Sequence, residues 1–268
     1  MNGQYTIAYL TTAPMHPPAV LRLAQQLGYC GIGIRLAPLV PGGPFSPLVQ
    51  IPALLQETVS CLAETGVSIL DVEGVRLDGQ FRPGDFEREL EVAGRLGAKA
   101  LCVIGDDSEE RRLVDTFAQL CHAAAPYHLQ VALEFMPYSR VRNAQDAVKI
   151  LREAQCSNGR IAVDFLHVNR SHMAAADLKA IPRECLSYAQ VCDAPAEVPT
   201  TLEELIHTAR YERWLPGTGG IDVRGFAQAL PADLPLCLEI PHVKEVARWG
   251  AKEWARRVLE ATRRVLDR

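Results

Sequence analysis

No part of the 268-residue chain approaches the run of ~20 apolar residues that a membrane-spanning helix needs. The opening segment, MNGQYTIAYLTTAP, lacks a basic start, and its apolar run is too short and too polar for a secretory signal. A cytoplasmic location with no membrane partner is the expectation. Excess basic charge is missing too: the formal net charge is −4, so a nucleic-acid partner is not expected. There is no G-x-x-x-x-G-K-S/T and no G-x-S-x-G, which removes the phosphate-loop reading and the usual sign of a serine hydrolase. The glycine clusters GYCGIG and GTGG do not follow a strand and open a helix, as a dinucleotide fingerprint must. The 8 cysteines include no C-x-x-C pair, and most fall within apolar runs: Cys102 in ALCVI, Cys192 in AQVCD, Cys237 in PLCLEI. They read as reduced thiols packed as small hydrophobes, not as a zinc cluster or a disulfide framework.

What is present is an alternating rhythm. Hydrophobic residues make up 48 % of the chain, enough to bury one large core. Apolar, strand-like runs occur at Tyr5–Leu10, Gly31–Leu36, Val67–Val72, Lys99–Ile104, Gln130–Phe135, Arg160–Phe165, Leu186–Cys192 and Leu234–Ile240. Most are spaced by roughly thirty residues, the length of a strand-plus-helix unit. Helical periodicity fills the intervals. Val20, Leu23, Ala24 and Leu27 share one face; so do Phe86, Leu90, Ala93 and Leu96, with Asp85 placed as a cap; so do Trp254, Val258, Ala261 and Val265. Glu253 with Arg257, and Glu260 with Arg264, fall at i, i+4 in the favourable order. Eight such units predict an α/β fold closed as a (β/α)8 TIM barrel, one domain over residues 1–268. Two long loops, Pro38–Pro52 and Ala194–Gly220, fall where strand-to-helix connections emerge on the active face of such a barrel. The second is expected to carry a short helix near Leu202–Ala209.

Four late strands end in oxygen donors: VALE at Glu134, IAVD at Asp164, SYAQ at Gln190 and LCLE at Glu239. A parallel strand covered on both faces should be apolar throughout, so each of these groups needs a reason. Any one of them explains itself as a loop cap or an arginine's partner. Four on consecutive strands point to a divalent cation, which relieves both desolvation and mutual repulsion. An all-oxygen set suits Mn2+ or Mg2+, with Co2+ a further option, better than a thiolate-rich zinc site.

VALEF, VDFLH, AQVCDAP, RWLPGTGGIDV and LCLEI, in this order and spacing, resemble the xylose-isomerase-like TIM-barrel superfamily of sugar isomerases and epimerases. The N-terminal half agrees in general form, with LGYCGIGIR similar to that family's first helix and second strand. The resemblance implies that Glu134, Asp164 and Glu239 are metal ligands. Gln190 stands where the fourth ligand is commonly histidine, and glutamine there is similar to the 3-dehydroshikimate dehydratase branch, as are DFLHVNR and ARYERWLPG. It further implies that His167 contacts substrate near the metal and that Arg213 binds substrate oxygens. Asp193 resembles a family acid after strand 7, although loop capping accounts for it equally well. Glu73 and Arg76, after strand 3, could reach into the mouth or simply pair with each other at i, i+3. His16 could line the same mouth. Two departures stand out: PGTGG at Pro216–Gly220 replaces the family's acid-containing PGEGD, and Ile34-Arg35 replaces an acid at the end of strand 2.

These readings converge on a small hydroxy-carbonyl substrate and proton transfer beside its carbonyl, with Glu134 and Glu239 as the acid–base pair and His167 assisting. Isomerisation or epimerisation is the first expectation. The alternatives are dehydration of the 3-dehydroshikimate type and a non-catalytic sugar-binding barrel. An apurinic endonuclease, also found in the superfamily, would need more histidine ligands and a basic face. The resemblance also makes a homodimer an expectation.

Overall fold

The computed structural model describes residues 4–267; residues 1–3, which begin the N-terminal segment, and residue 268 lie outside that range. Eight strands close a parallel barrel in chain order: β1 (Tyr5–Ile7), β2 (Gly31–Ile34), β3 (Ser68–Leu77), β4 (Ala100–Gly105), β5 (Gln130–Glu134), β6 (Gly159–Asp164), β7 (Leu186–Val191) and β8 (Leu236–Leu238), with β8 pairing back to β1. The fold is the (β/α)8 TIM barrel that the sequence predicts.

Side-chain alternation explains both faces of the sheet. On β5, Val131 and Leu133 join the large cluster shared with the helices, while Ala132 joins a small inner cluster with Ala8, Ala100, Cys102, Ala162, Tyr188 and Cys237. Two residues beyond Ala132, Ala162, Tyr188 and Cys237, on the same inward face, come Glu134, Asp164, Gln190 and Glu239. The oxygen donors therefore cap a narrow interior built from small side chains. The register sets Asp164 level with Gln190 and Gln190 level with Cys237.

The last helix, Ala251–Leu266, locks the closure. It buries Trp254, Ala255, Val258, Leu259 and Ala261, and Trp254 Nε1 donates to Ile240 O at 2.9 Å just beyond β8. Tyr29 Oη donates to Ala255 O at 2.8 Å. Among the described residues, no helix is long and apolar enough to cross a membrane.

Some local expectations change. The first strand stops at Ile7, and Tyr9–Thr12 is a helical turn. β3 runs on to Leu77, with a register shift against β4 between Val72 and Val75. Glu73 and Arg76 thus lie on the strand, not after it. Gly74 makes this bulge possible: its φ is 86°, and a Cβ there would stand 2.7 Å from Arg35 Nε. Asp85 does not cap a helix; it lies in a short 3-10 turn, Pro83–Phe86, and the α-helix begins at Glu87. Glu260 pairs with Arg256 instead of Arg264, while Glu253 pairs with both Arg256 and Arg257.

Candidate metal centre and active site

The C-terminal ends of the strands enclose a cavity of about 250 Å³, the scale of a small-metabolite pocket. Its floor carries Glu73, Glu134, His167, Gln190, Arg213 and Glu239. The helix Leu202–Tyr211 from the long loop after β7 covers it with Leu202, Ile206 and Ala209.

Asp164 ends β6 and at once starts the helix Phe165–Arg170. Its Oδ1 accepts from Leu166 N at 2.7 Å. With no intervening loop, the residue three places on, His167, comes back over Asp164 on the same side. One ligand atom each from Glu134, Asp164 and His167 lie within 4.8 Å of one another, and His167 Nε2 is 3.7 Å from Glu134 Oε1. Tyr138 packs edge-on against the imidazole, ring centres 5.6 Å apart. His167 is 2 % exposed, and burial lowers its pKa to about 4, with Asp164 opposing the shift. At neutral pH it is an uncharged imidazole.

Arg213 supplies a cation. Its Nη1 donates to Asp164 Oδ2 at 2.6 Å and its Nη2 lies 2.9 Å from Glu239 Oε2. Nε donates to Ala209 O at 2.8 Å, and the backbone N–H to Pro241 O at 2.9 Å. Burial works against the charge on Asp164, but Arg213 and His167 hold its carboxyl below the ordinary value. Glu239 goes the other way: burial pushes its pKa well up, Arg213 pulls it back, and Glu73, Asp164 and Glu134 push it up again. Among the described residues, Glu134 has no arginine or lysine at ion-pair distance. Burial, then the charge of Asp164, raise it to about 8, with Arg213 opposing. Next door, Arg35 Nη2 donates to Glu73 Oε1 at 2.7 Å and its guanidinium lies over the Tyr9 ring.

The donor set fits a divalent ion. Gln190 is 1 % exposed, and its Oε1 finds no hydrogen-bond donor among the described residues. A buried amide oxygen without a partner is costly unless something cationic meets it. Charge points the same way: of the four acids crowded here, Arg35 pairs with Glu73 and Arg213 with Asp164 and Glu239, and Glu134 has no guanidinium partner among the described residues.

The structure thus brings Glu134, Gln190, Glu239, His167, Arg213 and Glu73 to one floor, with Asp164 fully buried beside Glu134, His167 and Arg213. Other expected residues stand elsewhere. Arg76 is at the rim, paired with Asp106 at 2.9 Å, and does not pair with Glu73. His16 is exposed at the start of the helix Pro17–Leu27, outside the cavity wall. Asp193 is buried and away from the cavity wall. Its Oδ1 accepts from Ala194 N and Ile221 N, and its Oδ2 from Gly217 N and Gly219 N. It organises the PGTGG turn, the capping role weighed as its alternative. Arg35, which in the sequence is only a departure from the family's acid, pairs with Glu73 on the cavity wall. A charged residue directly following the apolar run GIGI is the same feature that marks the late strands.

A family model described as a xylose isomerase-like TIM barrel matches residues 21–265. A 3-dehydroshikimate dehydratase of Pseudomonas aeruginosa is 27 % identical over an alignment of 194 residues, which covers 66 % of this chain and 30 % of that protein. The chain thus aligns with less than a third of that relative's length. Among solved structures, the IOLI protein with a bound zinc atom has a TM-score of 0.80 at 19 % identity, covering 98 % of both chains. A D-allulose 3-epimerase from Methylomonas sp., solved with D-allulose, has a TM-score of 0.72 at 16 % identity, covering 98 % of this chain and 96 % of that one.

Proposed function

Since the chain belongs to the xylose isomerase-like TIM barrel family, we propose that it is a divalent-metal-dependent enzyme that removes the proton beside the carbonyl of a small hydroxy-carbonyl acid and expels the β-hydroxyl, a dehydration of the 3-dehydroshikimate type. Glu134, Asp164, Gln190 and Glu239 would hold the ion, whose chemistry is to polarise the substrate carbonyl.

The observation that carries the reading is the contrast between His167 and Glu239. His167 is a neutral, buried imidazole on the cavity floor, and its Nδ1 has no partner among the described residues. It accepts the α-proton; the C–H pair becomes the new C=C bond, and the β C–O bond breaks. The same imidazolium returns the proton to the departing hydroxide, giving water. Glu134, 3.7 Å away, steadies the imidazolium while it exists. Glu239 is less free to act as a second base, because Arg213 holds one of its oxygens. Gln190 at the fourth ligand position and the dehydratase relative support the same choice.

Epimerisation remains the second reading, favoured by the pair Glu134 and Glu239 lining one cavity. Incubation with 3-dehydroshikimate and Mn2+ separates the two. Dehydration gives the ultraviolet band of a catechol acid, lost in His167→Asn and in Glu134→Gln. Exchange of the α-proton in deuterated water with no loss of water overturns dehydration in favour of epimerisation. Substrate binding with neither event makes the chain a binding protein.

A further inference from the structure

Arg213 has an unusual position for a surface-loop arginine. Its residue is 2 % exposed, and its fork spans one oxygen of Asp164 and one of Glu239, two of the ligands assigned above. A guanidinium with that little water is tolerable only because both carboxylates, the Ala209 carbonyl and the Glu239 carbonyl accept from it. Its backbone is equally fixed. The N–H of Trp214 donates to Asp193 O at 2.8 Å, and that of Asp193 to Trp214 O at 2.9 Å. Arg213 is therefore a built part of the acid cluster.

We infer that Arg213 is the resident counter-ion of the metal site: it lets the carboxylates fold together before any ion arrives, and it weakens the ion's hold by drawing on the same two acids. This rests on the metal reading above and adds a role that substrate contact would not require. Two cations near one pair of carboxylates repel each other, and little water is present to screen them. A protein built this way is folded without its ion, binds it reversibly, and keeps a guanidinium ready beside it.

The test is Mn2+ binding by the full-length protein stripped with a chelator. Free Mn2+ is followed by electron paramagnetic resonance, and thermal melts are run with and without the ion. Wild type melts cooperatively without metal. Arg213→Met melts several degrees lower in chelator, yet binds Mn2+ tighter by about tenfold or more, because a repelling charge is gone. Its melting point accordingly gains more from Mn2+ than that of wild type does. Arg213→Lys keeps the charge and stays within about threefold of wild-type affinity. Unchanged or weaker Mn2+ binding by Arg213→Met overturns the inference, since a residue that only positions ligands gives that result. If Arg213→Met folds only when Mn2+ is added, the inference stands. If it does not fold at all, Arg213→Lys decides, and a loss beyond about tenfold overturns it. Wild type that binds no Mn2+ while Arg213→Met does supports the counter-ion role but sinks the metal-dependent function. Binding by neither overturns both.

Discussion

Glu134 shows how one side chain's surroundings set its chemistry. It ends β5 on the inward face, buried, with Cys102 Sγ at 3.8 Å and His167 as its close neighbours. With a pKa raised to about 8 by burial and by Asp164, it holds a proton at neutral pH until a cation displaces it. Mn2+ affinity is therefore expected to climb as pH rises toward about 8, where Glu134 gives up its proton. Glu134→Gln should flatten that slope while lowering affinity throughout. A titration series across this range checks it, and a flat wild-type profile would count against Glu134 as a ligand. The same residue is legible in the chain as the charged end of VALE. Its proton is not, because that depends on Asp164 and Arg213, which come from other strands and loops.

The long connection after β7 carries Arg213 into the site, and Asp193 holds that connection together. Four backbone N–H groups of the following turn converge on its two oxygens. Gly219 is required here, since a Cβ would stand 2.2 Å from Ala194 O. Asp193→Ala strands all four donors, those of Ala194 and Ile221 buried and those of Gly217 and Gly219 half-buried, and a buried unpaired donor costs about 1–3 kcal/mol. The expected loss is about 3 kcal/mol or more, with Asp193→Asn losing less because one oxygen remains. Chemical denaturation measures both, and a change under about 1 kcal/mol for Asp193→Ala would show that water replaces the carboxylate. The loss of acids from the PGTGG segment is thus no gap in the loop's support, since the support comes from Asp193, just past β7. Sequence alone left Asp193 between capping and substrate contact because both use the same residue type at a strand end.

At the scale of the whole barrel, the interior beneath the site holds one more acid. Asp71 on β3 is fully buried, and Tyr188 on β7 donates to its Oδ2 at 2.7 Å across the barrel. Burial, then the charge of Glu73, raise its pKa to about 7, against the hydrogen bond from Tyr188 and the charge of Arg35. A raised folded-state pKa means the stabilising protonated form is fully present below the unfolded value near 3.8, and its contribution is lost as pH rises to about 7. Asp71→Asn mimics the protonated form. It should melt higher than wild type at about pH 8, by roughly 2–4 °C for each kcal/mol relieved, and show no gain at about pH 4. Melting curves at the two pH values check this. Equal melting points at the higher pH would mean that Asp71 keeps its charge at little cost.

The eightfold alternation, the inward and outward faces and the four oxygen-bearing strand ends could all be read along the chain, because each follows from a local period of burial. A strand alternates every two residues and a helix every 3.6, whatever lies opposite. The pairings could not be read in this way. Arg213 meets Asp164 across 49 residues and Arg35 meets Glu73 across 38. Along the chain, Glu73 and Arg76 fit either a pair with each other or a reach into the mouth; the bulge at Gly74 aims the two side chains at different partners. Which charge meets which is settled by barrel stagger and loop path, and these exist only once all eight strands have closed.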